Sequence, residues 1–125
     1  MKHRISAFIA LGIMLAAGTA WAHHSFSPFD MDKRVTLTGI LTKVDWRNPH
    51  IEISIDVKGD QGQVESWLME GGPPARFKNY GINKDSFGKA VGQIVTVVAG
   101  LAKDGARHGH MQTITFPDGT TTAAR

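Results

Sequence analysis

Apolar and polar residues alternate without a break from His50 to Val57. Ile51, Ile53, Ile55 and Val57 fall on one side; His50, Glu52, Ser54 and Asp56 fall on the other. Successive side chains of a strand point to opposite faces, so this period of two predicts a half-buried strand. Four more segments read as strands. Val35 to Trp46 is rich in Val, Thr, Ile and Leu, and Gly39 in its middle predicts a bulge or sharp bend. Val64 to Glu70, Ile94 to Leu101 and Met111 to Phe116 are shorter and bounded by turn residues. Arg47-Asn48-Pro49 and Gly59-Asp60-Gln61-Gly62 are the turns around the alternating strand. Pro117-Asp118-Gly119 closes the last strand.

The period changes after Glu70. Gly71-Gly72-Pro73-Pro74 interrupts the sheet pattern, and Ala75 to Tyr80 predicts a short helix. Pro74 suits its first turn and Gly81 its C-terminal stop. Asn83 to Phe87 adds one further turn. Three strands, a helix and two strands give an all-β class with one short helix. The expected architecture is a five-stranded OB-fold-like barrel, in the order β-β-β-α-β-β. In that fold the loop after strand 1 lies beside the loop before strand 5. An open sheet or another small Greek-key barrel has the same element order.

The segment ahead of these strands has another character. Met1-Lys2-His3-Arg4 is basic, Ile5 to Ala17 is apolar, and Ala20-Trp21-Ala22 has the small-x-small pattern of a cleavage site. Residues 1–22 therefore read as a signal peptide that sends the chain to the periplasm. The apolar run is shorter than the roughly 20 residues that span a bilayer, and no later stretch is apolar enough to span. The expected organisation is a signal peptide (1–22), an irregular N-terminal lead-in (23–34), the β domain (35–119) and a frayed C-terminal tail (120–125).

Charge adds little. Lys2 and Arg4 are two of the 14 basic residues, so the processed chain carries 12 against 11 acidic ones. No polybasic patch suggests nucleic acid. The absence of cysteine excludes disulfides, thiolate metal sites and cysteine nucleophiles. Ser25, Ser54, Ser66 and Ser86 lack the setting of a nucleophile elbow, and Gly71-Gly72 does not match a phosphate loop. The expectation is a binder, not an enzyme.

The candidate chemistry lies in the histidines. Cleavage before His23 would expose an amine and an imidazole on one residue, a nitrogen-rich chelate of the kind Cu(II) prefers. His24 follows it, and His50 sits in the turn after strand 1. His108 and His110, lesser candidates, precede strand 5. Copper is thus the leading ligand, ahead of zinc. Met111, Asp30, Asp32 and Glu70 offer further ligand atoms. Against this stands the plainer reading of solvated surface histidines and no metal at all. Trp46, Asn48 and Glu70 mark a ligand or partner face. Trp67 reads as core.

His23-His24-Ser25-Phe26, Phe29-Asp30, Val35-Thr36-Leu37-Thr38-Gly39 and Trp46-Arg47-Asn48-Pro49-His50 together resemble a family of small exported bacterial proteins, the domain-of-unknown-function family 6152. Glu70-Gly71, Asp85-Ser86-Phe87, Val95-Thr96-Val97 and Ala102-Lys103-Asp104-Gly105 fit the same pattern. The resemblance spans the processed chain. It implies export and a small β-barrel domain, implies no activity, and directs attention to His23, His24 and His50. Two functional expectations follow. The first is a periplasmic protein that binds a transition metal. The second is a non-metal module for a sugar, a peptide or a partner protein, or a structural accessory subunit of an envelope complex.

Overall fold

The computed structural model describes residues 27–125. The alternating segment forms strand β2 (Glu52–Lys58), between β1 (Phe29–Asp45) and β3 (Val64–Glu70). Ile51, Ile53 and Ile55 are buried as the alternation requires. Val57 packs against the core from a partly buried position. Two short helices follow, α1 (Pro74–Lys78) and α2 (Lys84–Ala90). β4 (Ile94–Ala102), β5 (His108–Thr115) and β6 (Thr121–Ala123) complete the chain.

These strands form a six-stranded sheet in the order β3-β2-β1-β4-β5-β6. Consecutive neighbours in that order are antiparallel. One additional parallel contact joins β3 to β5 through Leu68↔His108, Met69↔Gly109 and Glu70↔His110. This corrects the expected five-stranded OB-like barrel with one helix. The architecture is a six-stranded sheet with two helices, and the β3–β5 contact is a short junction at one end of it.

The differences have local causes. β1 begins at Phe29, inside the segment expected to be an irregular lead-in, and breaks register against β4 between Phe29 and Arg34. The C-terminal residues are not a frayed tail. Ala124 is fully buried, donates its N–H to the Gln112 carbonyl at 2.8 Å, and accepts from the Gly72 N–H at 2.7 Å. Thr121–Ala123 is thereby held as a strand. The second helix arises from a capping box. The Asn83 side chain accepts from the Ser86 N–H while the Ser86 hydroxyl accepts from the Asn83 N–H, which satisfies N-terminal donors of α2. The expected helix is real but shorter, and the Gly81 N–H reaches the Lys78 carbonyl at 3.0 Å as its stop. Gly39 pairs with strands on both sides. A side chain there would run into the Asp56 carbonyl, so close approach explains this glycine; the bulge itself lies between Leu41 and Lys43.

The helices close one end of the core. Phe77 of α1 and Phe87 of α2 meet edge to face at 5.4 Å, and Phe87 meets Phe116 at 5.1 Å. Met111, offered as a soft ligand, is instead a fully buried core side chain beside Met69 and Ile114.

Candidate functional site: a carboxylate among imidazoles

The site is built where β3 meets β5. Opposite residues of paired strands share a face, so one row crosses the sheet from Asp45 to Glu52 to Glu70 to His110. His108 lies two residues earlier on β5, beside Leu68. His50 arrives from the turn before β2, since the Ile51 N–H donates to the Gly72 carbonyl and the Gly71 N–H to the Ile51 carbonyl. The structure thus gathers His50, Glu70, His108 and His110 around one junction. This is the neighbourhood expected of the loops after strand 1 and before strand 5.

The geometry centres on Glu70. Its Oε1 is 3.7 Å from His50 Nδ1, and its Oε2 is 3.8 Å from His108 Nε2. Both separations exceed hydrogen-bond range. His50 Nδ1 lies 3.0 Å from the Gly71 carbonyl oxygen; a carbonyl only accepts, so this nitrogen carries the proton. His108 Nε2 and His110 Nδ1 are buried and have no hydrogen-bond partner among the described residues. The side chains of His50, His108 and Glu70 keep 46%, 33% and 22% of their exposure. The cluster therefore opens to solvent on the His50 side.

Phe29 forms the wall. Its ring stands edge-on to His108 at 4.8 Å and is tilted against His110 at 5.7 Å. Gly100 makes this possible, because a side chain there would collide with the Asp30 carbonyl and Met31. Arg47 reaches Asp45 at 3.1 Å and Glu52 at 3.3 Å, which offsets like charges placed opposite one another. Glu70, the third carboxylate of the row, is beyond this clamp.

Other sequence candidates lie elsewhere. Trp46 packs between Phe77 and Phe87 at 5.9 and 5.6 Å, so it serves the aromatic core. Asn48 is exposed in the turn, next to a cis Asn48–Pro49 bond. Trp67 packs against the core as expected, with its indole N–H buried and unpartnered. Asp30 accepts from the Lys33 N–H. His23 and His24 lie outside the described residues. The sequence marked Phe29 only as part of the Phe29-Asp30 segment of the family resemblance, with no sign that it would stand against His108 and His110.

For the described residues the metal reading needs correction. Among the described residues no group of three or more His, Asp or Glu side chains is arranged to hold a metal ion. The proton on His50 Nδ1 also blocks the ring nitrogen nearest Glu70 from ligation.

An open cleft of about 630 Å³ lies elsewhere, lined by residues including Asn83, Lys89, Gln93, Phe116 and Asp118. Several of its polar groups serve local structure: Asn83 and Ser86 cap α2, and Asp118 accepts from the Thr120 N–H. It lacks the unpartnered nitrogens of the Glu70 junction. Among the described residues no helix is long and apolar enough to cross a membrane.

Comparison with known families decides the relationship. The profile of a family of unknown function, DUF6152, matches residues 11–112. The chain belongs to the DUF6152 family. Within this DUF6152 protein the match covers His50, Glu70, His108 and His110 alike, so the whole junction lies inside the family's domain. No curated protein and no solved structure matches the chain.

Proposed function

We propose that this DUF6152 protein is an exported, non-catalytic binding module that holds a polar, non-metal ligand at the Glu70 junction. Export rests on the basic, apolar and small-x-small pattern of residues 1–22. The non-catalytic reading rests on the lack of nucleophile and phosphate-loop motifs in the sequence.

One observation carries the binding assignment. Two buried ring nitrogens, of His108 and His110, have no hydrogen-bond partner among the described residues; the His108 nitrogen stands 3.8 Å from the Glu70 carboxylate, and His110 pairs in register with Glu70. Buried polar groups are overwhelmingly satisfied in folded proteins. A bound polar group would satisfy these, and the exposed His50 side leaves it a way in.

The test is ¹H–¹⁵N NMR of the processed protein, titrated separately with propylammonium, propionate and methyl glucoside. Saturable shifts confined to residues around 50, 70, 108 and 110 support the assignment. Silence of this junction toward every probe refutes it. N-terminal sequencing of the protein recovered from the periplasm tests export, with His23 as the expected first residue.

A further inference from the structure

We propose that the group recognised at the Glu70 junction is a primary ammonium with an alkyl stem. This inference rests on the reading of the junction as a binding site and names the chemistry that fills it.

Arg47 is committed to Asp45 and Glu52, Arg107 lies 3.2 Å from Glu65, and Arg125 donates to the Gln112 side chain. Glu70 has ring nitrogens only, each beyond hydrogen-bond distance. Among the described residues it has no Lys or Arg partner, only these two imidazoles, and the directly opposed Glu52 adds negative potential. An anionic ligand would meet that charge, whereas a cation would relieve it.

Hydrogen-bond character narrows the choice. Glu70 only accepts. His108 Nε2 and His110 Nδ1 also accept when the ring proton is on the other nitrogen. In that tautomer Glu70, His108 and His110 together present acceptors, which suits a group that only donates. An ammonium offers three donors and no acceptor, while a hydroxyl offers one donor. A guanidinium is a planar fork that engages both oxygens of one carboxylate from one side. Here the two Glu70 oxygens face different rings, His50 and His108, which fits a compact ammonium better.

The surroundings supply a place for the stem. Leu68 lies two residues before Glu70 on the same face of β3, pairs in register with His108 and is 38% exposed. An alkyl chain leaving the ammonium toward Leu68 would bury apolar surface on both sides. Such an amine has two sources, a free alkylamine or the lysine side chain of a peptide.

Calorimetry and NMR on the processed protein at pH 7.5 test this with four probes. Propylammonium and Nα-acetyl-lysine amide are the two ammonium sources. Tetramethylammonium keeps the charge without N–H donors, and methyl glucoside offers hydroxyls without charge. Saturable binding of either ammonium at the junction, with tetramethylammonium at least about tenfold weaker, supports the proposal; the tighter ammonium identifies the source. Glu70→Gln should weaken that binding by roughly tenfold or more, the scale of a hydrogen bond to a charged group. His108→Ala, which keeps the carboxylate, should weaken it by a smaller factor. Thermal melts of both variants separate lost binding from lost folding. Equal binding of tetramethylammonium, or retained affinity in folded Glu70→Gln, overturns the ammonium assignment. Binding of methyl glucoside alone also overturns it, and leaves the binding module standing. If none of these probes acts at the junction the ammonium assignment falls, and if propionate is silent there too the binding module falls with it.

Discussion

Replacing glycine by alanine should destabilise this domain at residue 39 and stabilise it at residue 88. At Gly39 an added methyl meets the Asp56 carbonyl oxygen inside contact distance, its carbon at 2.9 Å and Val57 Cγ2 at 3.1 Å. Two of those atoms are backbone, so no rotamer change relieves them. β1 is also pinned by β4 through Gly39↔Val95, which prevents a simple retreat. Overpacking of this kind costs about 1–3 kcal/mol. The smaller unfolded-state entropy of alanine returns about 0.4–1 kcal/mol. The net is a loss of about 1–2 kcal/mol, or roughly 4–16 °C in Tm for a domain of this size. Gly88 lies inside α2 with no neighbouring atom within 4 Å of an added Cβ. There alanine gains helix propensity of about 0.5–1 kcal/mol at no steric cost. Thermal and urea unfolding followed by circular dichroism give both values. A Gly39→Ala protein as stable as the parent, or a shift of the same sign at both positions, would refute the contact argument.

Removing Ala124 and Arg125 should cost roughly 2–4 kcal/mol, because it strips partners from the Gln112 carbonyl and the Gly72 N–H and empties a buried position; urea midpoints with unchanged slope check this. The Asp118 carboxyl is held below the ordinary aspartate value, first by the Thr120 N–H and then by the Thr120 hydroxyl. A lowered carboxyl pKa stabilises the fold above the unfolded-state value, and that stability is lost as pH falls through the folded-state value. A ¹³C-detected titration should find the Asp118 midpoint below that of a free aspartate, and Thr120→Pro should bring it back up. Glu70→Gln should leave the domain as stable as the parent or raise stability by about 0.2–1 kcal/mol, since Glu52 stands directly opposite; a Tm several degrees lower would contradict this.

The strands were legible because their signals are local. Ile51, Ile53 and Ile55 alternate with polar neighbours, and the burial follows that period. The Pro74 start and Gly81 stop of α1 are equally local. What escaped depends on partners distant in sequence. Thr121–Ala123 carries little strand signal in isolation, yet it pairs with Thr113–Thr115, and Ala124 is held by Gln112 and Gly72. Trp46 looked like a ligand platform because it ends a strand beside a loop. It becomes core because α1 and α2 bring Phe77 and Phe87 against it. The convergence of His50 with His108 and His110 was expected from a barrel that the chain does not form; it comes instead from the β3–β5 contact. The central place of Glu70 could not be anticipated, because it depends on the parallel β3–β5 register.

That register also bears on what Glu70 is for. A carboxylate directly across from Glu52 on a sheet face is unfavourable for pairing, and Arg47 relieves only Asp45 and Glu52. The fold would lose nothing by an uncharged residue here, since Glu70 makes no side-chain hydrogen bond within the cluster and the Gly71 carbonyl already occupies the His50 proton. Phe29, by contrast, closes one side of the junction and holds two rings in place, while His50 stays open to solvent. A wall, two positioned imidazoles and a carboxylate without a Lys or Arg partner among the described residues add little to stability, which is what the proposed binding role requires. Glu70→Gln should therefore lose binding without losing stability, whereas a residue that serves the fold would lose both together.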